Sequence, residues 1–300
     1  MSIVEQLSDM GCRRVSLIGG EVFLRHDWKE IVGALINEGI ITSIVTNGFL
    51  INDEIIKQLG KLNLESVAIS LDDSEEVNDK YRQVGSYKAA IVAIKQLTNN
   101  QIPISIITTI NSENVCFLEA MYKILCEYPI RAWQIQACAP MGNAKNSNLK
   151  YQFDPRIVMG FVASKRKEAP FIIGVGDNIG YYDDNEYFIR GDDSGSIFFR
   201  GCKAGLSSIG IDSEGNVRGC ESMYDKCFIE GNLRKTSLKE IWESPSAFSY
   251  NRWFTPNLLT GKCKTCDFNM KCAGGCRSYN YFSNGKLYES AICSQVQNCQ

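Results

Sequence analysis

The stretch Val15–Thr46, VSLIGGEVFLRHDWKEIVGALINEGIITSIVT, decides the fold. Val15 to Gly19 is a short apolar run that ends in Gly-Gly-Glu. Trp28 to Glu38 places apolar residues every three or four positions, and Ile41 to Thr46 is again β-branched. Short β-branched runs suit buried parallel strands, and the three-to-four spacing suits a helix with one apolar face. The stretch therefore reads strand, helix, strand. The same alternation continues, with strands expected at Ser66 to Leu71, Pro103 to Thr109 and Ala132 to Ala137. Helices are expected at Asn52 to Leu62, Ser86 to Asn99 with Ser86 as its cap, and Glu113 to Tyr128. A repeat of roughly 25 to 35 residues matches right-handed βα units, which build a parallel sheet or a partial barrel.

Ligands of such folds gather at the carboxyl ends of the strands. Three successive ends here read Gly19-Gly20-Glu21, Thr46-Asn47-Gly48 and Ser70-Leu71-Asp72. Glycine lets a ligand approach the backbone, and a nearby carboxylate accepts hydrogen bonds from an ammonium or a ribose hydroxyl. Each motif alone is an ordinary turn former. Their recurrence along one sheet points to a shared ligand.

The last third of the chain carries a different signal. Cys263-x2-Cys266-x5-Cys272-x3-Cys276 is preceded by Cys202 and Cys220 and followed by Cys293. Three chemistries compete for such thiols. Disulfides need an oxidising compartment, and Met1 to Met10, with Glu5 and Asp9, lacks the basic start and apolar run of a secretory leader. A cytoplasmic location is the expectation. Structural zinc favours four ligands in two Cys-x2-Cys knuckles, and only Cys263/Cys266 make one. Iron–sulfur clusters accept closely spaced thiolates completed by a distant one, and seven thiols suit one fully ligated cluster and one with three protein ligands. Thiolate-rich sites serve both iron and zinc, so both stay open on spacing alone.

Composition limits the partners. A formal net charge of −2 in 300 residues leaves no basic footprint for nucleic acid. No apolar run approaches the ~18 residues of a membrane-spanning helix, so neither nucleic acid nor a membrane is expected as a partner.

Together these residues resemble the radical S-adenosylmethionine enzymes that carry a C-terminal SPASM domain. Gly19-Gly20-Glu21 is similar to that family's glycine-rich motif, whose backbone and acid hold the amino group of the cofactor, and Ser70-Leu71-Asp72 to its motif beside the cofactor. Cys202, Gly215-x4-Cys220, the four-cysteine run and Cys293 reproduce the seven-cysteine SPASM signature. The resemblance implies that Cys202, Cys220 and Cys276 bind a first auxiliary 4Fe-4S cluster. It implies that Cys263, Cys266, Cys272 and Cys293 bind a second. Ser208 stands where some members have a further ligand, so the first cluster is expected to keep an open iron or to borrow Cys227. The implied fold is α/β: a partial (β/α)6 TIM-type barrel lacking its first strand over residues 1–150, a bridging region over 151–199, and a small cysteine-rich iron–sulfur domain over 200–300.

The family's electron-injecting loop is Cys-x3-Cys-x2-Cys, and no such spacing occurs in these residues. Its first strand and loop are expected upstream of Met1, ahead of the Ile3 to Met10 helix. With that segment, the resemblance implies reductive cleavage of S-adenosylmethionine to a 5′-deoxyadenosyl radical and hydrogen abstraction from a peptide or protein substrate, with a flavodoxin or ferredoxin as electron donor. Some members act on haem or quinone precursors instead. Without the segment, the alternative is a noncatalytic iron–sulfur or zinc protein for electron transfer or partner binding. Other conspicuous residues have plainer readings. Asp154 to Pro170 reads as helix. Gly174 to Gly195, with Tyr181-Tyr182-Asp183-Asp184, reads as solvated loop, and Ile209 to Gly219 as a hairpin. Ser237 and Glu240 form a capping box. His26 is expected at the surface, Cys12, Cys116 and Cys126 in the core, Cys138 near the strand-end pocket, and Cys299 at a frayed terminus.

Overall fold

The computed structural model describes residues 2–146, 151–191 and 199–295. Ser2 opens α1 (Ile3–Asp9) with a capping box, its hydroxyl accepting from the Glu5 amide while the Glu5 carboxylate takes the Ser2 amide. Then follow β1 (Arg14–Leu17), α2 (Trp28–Asn37), β2 (Ile41–Thr46), α3 (Asp53–Leu59), β3 (Ser66–Ser70), α4 (Glu75–Tyr81), α5 (Ser86–Asn99), β4 (Ile104–Ile110), α6 (Leu118–Leu125), β5 (Ala132–Ala137), α7 (Pro155–Lys165), β6 (Ile172–Val175) and α8 (Glu186–Arg190).

The six strands lie side by side in chain order. Each is joined to the next by a crossover, the arrangement of a barrel wall. Register sets apolar residues in rows: Leu17 pairs with Ile44, Ile44 with Val67, and Val67 with Ile104. Val67, Ile44 and Ile104 are fully buried. On α5 the residues at helical spacing, Ala90, Ala93, Ile94 and Leu97, are buried beside β3 and β4. Each fully buried Ile or Leu contributes about 2 kcal/mol relative to exposure. A buried hydroxyl joins the middle of the sheet: Thr108 donates to the Leu71 carbonyl at 2.6 Å and accepts from the Trp133 indole at 2.8 Å. The Thr108 hydroxyl and the Trp133 indole are thereby both satisfied, as burial demands.

Beyond the sheet, β7 (Gly210–Ile211), β8 (Asn216–Arg218) and β9 (Gly231–Asn232) form a small antiparallel sheet. Its first turn is held by Asp212, which accepts from the Glu214 and Asn216 amides, both at 2.9 Å, and from Arg218 at 2.5 Å. Then come α9 (Leu238–Glu243), with the expected Ser237/Glu240 capping box, α10 (Ser249–Arg252), α11 (Asn269–Cys272) and α12 (Arg277–Asn284). The chain divides into two compact units, Met1–Ile135 with Lys165–Gly174, and Gln136–Ser164 with Val175–Gln300. Among the described residues no helix is long and apolar enough to cross a membrane.

Several expectations need correction. The sheet has a sixth strand where five were legible, because β6 is only four residues long and contains Gly174. The Gly174 to Gly195 segment is not all loop, since it also holds α8; residues 192–195 lie outside the described residues. Tyr181 and Tyr182 are buried rather than solvated, at 1% and 8% exposure. Helix α4 was not expected, because its sequence EEVNDKY lacks an apolar stripe. Ser86 does not cap α5; Gly85 precedes the helix at φ 84°, and Ser86 is buried inside it. Cys116 and Cys126 are exposed and Cys12 is half-buried, because none stands on a helix's apolar face: Cys12 is in the loop before β1, Cys116 in a short 3-10 turn before α6, and Cys126 just past the end of α6. His26 is exposed, as read. Residues 147–150 and Cys299 lie outside the described residues.

Candidate functional site

At the end of β1 the chain turns through Gly19 at φ 50°, the left-handed region glycine favours. A Cβ added at Gly19 or Gly20 would meet nothing within 4 Å, so the backbone here borders open space. The Glu21 carboxylate spans to the end of β2. It accepts from the Thr46 hydroxyl at 2.9 and 3.0 Å, from the Asn47 amide at 3.0 Å and from the Phe23 amide at 3.4 Å. Thr46 lies in register with Ile69, so the Glu21 anchor stands one strand from Ser70 at the end of β3. Ser70 is half-buried and Leu71 fully buried.

Asp72 is held from three directions. Arg82 donates to both carboxylate oxygens, at 2.7 and 3.0 Å, and the Thr109 amide of β4 donates at 2.7 Å. The Asp72 amide in turn donates to Asn78, whose side chain bonds Ser86. The adjacent Asp73 is 1% exposed, and one of its carboxylate oxygens is buried with no hydrogen-bond partner. Burial pushes the Asp73 carboxyl above its usual range, against the lowering effect of the Ser74 amide. Sequence reasoning found Glu21 and Asp72 but not Arg82, Asn78 or Asp73.

The thiols form two groups by their electrostatic coupling. Cys263, Cys266, Cys272 and Cys293 line one cavity together with Tyr181, Tyr182 and Phe268. Burial pushes the Cys272 thiol up strongly, and Cys293, Cys263 and Cys266 add to the shift. Backbone amides already point at two of these sulfurs, Ser290 at Cys263 (3.3 Å) and Phe268 at Cys266 (3.4 Å). Stacked rings wall the cavity, with Tyr182 on Phe268 at 4.6 Å and Tyr181 on Phe199 at 4.4 Å. In the other group, burial and then Cys202 raise Cys276, and Cys276 is among the groups that raise Cys220. Tyr181 touches both groups. Its ring lines the cavity, while its hydroxyl accepts from the Cys276 amide at 3.1 Å and donates to the Asp177 carbonyl at 2.9 Å. Cys227 joins neither group: it is exposed, and its sulfur faces the Tyr281 hydroxyl.

Iron–sulfur chemistry fits these donors. A single zinc needs its sulfurs to converge on one point about 2.3 Å away. Among the described residues no three His, Cys, Asp or Glu side chains converge in that way. Four thiols spread around one cavity, with amides directed at their sulfurs, suit a larger thiolate-bound group. Beside the first group the buried Tyr250 hydroxyl has no acceptor; burial and then Glu230 push its pKa up most, with Cys202 and Cys220 adding to the shift against the lowering effect of the Gly219 amide. An orphan buried donor there fits a sulfur acceptor. None of the described cysteines is in a disulfide.

The comparisons with known proteins agree with this anatomy. Residues 1–125 match the model of the radical SAM superfamily, and residues 202–267 match the SPASM iron–sulfur cluster-binding domain, a match that begins on Cys202. The chain belongs to the radical SAM superfamily and carries a C-terminal SPASM domain. Its cofactors are S-adenosylmethionine and 4Fe-4S clusters.

Among curated relatives, the AdoMet-dependent heme synthase of Methanosarcina barkeri is 24% identical over 297 residues, covering 95% of this chain and 83% of that protein. Mycofactocin maturase MftC of Mycolicibacterium smegmatis is 26% identical over 294 residues, 94% of this chain and 70% of that protein. Among solved structures, Streptococcus suis SuiB superposes with a TM-score of 0.75 at 18% identity, over 97% of this chain and 69% of its own, which shows a shared fold.

Proposed function

We propose that this protein is a radical maturase that uses S-adenosylmethionine and two auxiliary 4Fe-4S clusters to modify a peptide or protein. Gly19, Gly20 and Glu21 are assigned to the amino-acid end of S-adenosylmethionine, with Ser70 and Asp72 beside it. Cys202, Cys220 and Cys276 are assigned to the first auxiliary cluster. Cys263, Cys266, Cys272 and Cys293 are assigned to the second.

The observation that carries the reading is the second thiol group: four cysteines from three segments around one cavity, in the chain that also ends β1 with Gly-Gly-Glu. Glu21 is fixed by Thr46 and Asn47 before any ligand arrives, so little ordering is left for binding to supply. Asp72 spends both oxygens on Arg82 and Thr109, so its part is to hold the end of β3 in place. S-adenosylmethionine supplies a carbon-centred radical able to abstract hydrogen from a substrate. The auxiliary clusters would supply a path outward for the electron left on the product, and a flavodoxin or ferredoxin would donate the separate electron that the radical step consumes. Thiolate burial and amide hydrogen bonds set the cluster potentials.

The peptide class is supported by the maturase MftC among the relatives. The heme synthase of M. barkeri, aligned over 95% of this chain, favours a second reading in which the substrate is a haem precursor. Anaerobic reconstitution tests the cluster assignment: about eight irons with matching sulfide support two clusters, and zinc in their place refutes it. The radical step depends on a Cys-x3-Cys-x2-Cys loop, which these residues lack. Reading the genomic frame upstream of the Met1 codon tests that step. A stop codon there in a verified transcript would overturn catalysis and leave electron transfer or partner binding as the function.

A further inference from the structure

Arg277 is among the largest fully buried side chains, at 1% exposure, and it immediately follows Cys276. Among the described residues it forms no ion pair. Its Nη1 donates to the carbonyls of Ala273 (2.6 Å), Leu287 (3.2 Å) and Gly275 (3.4 Å), and its Nε is buried without a partner. The guanidinium stacks over Tyr288 at 4.6 Å and Phe254 at 5.2 Å. Carbonyl dipoles and ring faces stabilise a cation weakly compared with a carboxylate, so a buried charge in this setting is costly unless an anion is close.

The groups that would become anionic near it are the thiols once they bind metal. The turn that its Nη1 grips, Ala273–Gly275, runs from Cys272 of the second thiol group to Cys276 of the first, so the guanidinium is fixed on the backbone that joins the two groups. We propose that Arg277 is a shared counter-charge for the two iron–sulfur clusters, a positioning and tuning residue that raises the reduction potential of both at once. The inference rests on the proposed assignment of the seven thiols to clusters. Each cluster bound by thiolates is anionic, and one-electron reduction adds a further negative charge. A fixed cation held on the backbone that joins their ligands would favour the reduced state of each.

The competing role is purely structural. Nη1 also fastens the turn Ala273–Gly275; lysine keeps both charge and N–H donors, glutamine keeps donors without charge, and methionine keeps neither. Charge separates the two roles. The experiment takes the reconstituted full-length protein through a dithionite titration followed by EPR, for the natural sequence, Arg277→Lys, Arg277→Met and Arg277→Gln. The expected result is a negative shift of both midpoint potentials in the Met and Gln variants, with the Lys variant close to the natural protein. Should Met and Gln fail to take up iron while Lys loads fully, the positive charge is needed for assembly and the proposal stands. Unmoved potentials in iron-loaded Met or Gln variants overturn it. So do Lys and Met variants that shift together, a shift confined to one cluster, or a Lys variant that also fails to load. A natural-sequence protein that binds zinc or no iron would instead overturn the cluster assignment, which separates the two failures.

Discussion

Replacing Asp72 by asparagine should loosen one end of the sheet. The Asp72 side chain is 10% accessible and that of Arg82 27%, so their pair is largely but not wholly removed from water. Asparagine keeps one oxygen for the Thr109 amide but turns an N–H₂ donor toward the Arg82 Nε, which now finds no acceptor. One charge-assisted bond is lost, worth about 1.5–3 kcal/mol, and a cation loses its partner. Solvent reaches the guanidinium and screens part of the Coulomb loss, which leaves a net cost of about 2 kcal/mol. Since ~1.4 kcal/mol is a factor of ten, local opening becomes roughly 30-fold more frequent.

Amide hydrogen exchange reads this directly, because exchange reports the free energy of local opening. The Thr109 amide donates to Asp72, and the Leu71 amide to the Ile107 carbonyl at 3.1 Å; both should exchange roughly 30-fold faster. The Val67 amide, bonded to Pro103 at the far end of β3, should hold its rate. Arg82→Met should cost a similar amount, and the double variant should cost less than the sum. Acceleration below about threefold, or additivity within ~0.5 kcal/mol, would refute the idea that the pair fastens the strand end.

Three further outcomes are expected. Asp73 is buried with an unpartnered oxygen and a raised pKa, so its charged form opposes folding. Stability relative to Asp73→Asn should be greatest below the ordinary value of 3.8, fall as pH rises through the raised folded value, and then level off; urea midpoints that track each other from acid to neutral pH would contradict this. Tyr250→Phe removes the orphan hydroxyl, so the first cluster alone should become harder to reduce. A redox titration in which both clusters move, or neither, would sink that assignment. Gly219→Ala would bring its methyl to 2.0 Å from the Tyr250 hydroxyl and 3.0 Å from Ala204, costing on the order of 1–3 kcal/mol by overpacking. Adding Tyr250→Phe should recover part of that loss in thermal unfolding, and no recovery would show that Ala204 is the obstacle instead.

The βα alternation was legible because parallel strands buried on both faces are written as unbroken apolar runs. Ser66–Ser70 is such a case, whereas Ala132–Ala137 was legible by its alternation, with Trp133 and Ile135 buried and Gln134 exposed. Helix α4 was hidden because its order comes from polar bonds rather than an apolar stripe. Asp79 collects the Gly85 amide, the Ser86 hydroxyl (3.0 Å) and the Tyr87 amide (2.8 Å), and ties this helix to the next. Tyr181 and Tyr182 misled for the opposite reason. Acidic neighbours made them read as solvated, yet their burial comes from Cys272, Cys293 and Phe199, residues near in space and distant in sequence. At the candidate site, cysteine spacing exposed the thiols, whereas the surroundings of Arg82, Tyr250 and Arg277 are assembled by the fold and are not revealed by a linear pattern. Arg277 did carry one unread signal, an arginine directly after a metal-type cysteine.

The turn Ala273–Gly275 has a consequence for assembly. It separates Cys272 of one thiol group from Cys276 of the other, and all three of its residues have positive φ: 51°, 81° and 82°. Even a fully extended four-residue step spans no more than ~14 Å, and this one is coiled tighter. On the proposed cluster assignment, an electron leaving one centre would have only a short hop to the next, across a single folded turn. Loading the first centre also fixes the backbone from which the second takes a ligand, so metal uptake by the two is expected to be cooperative rather than stepwise.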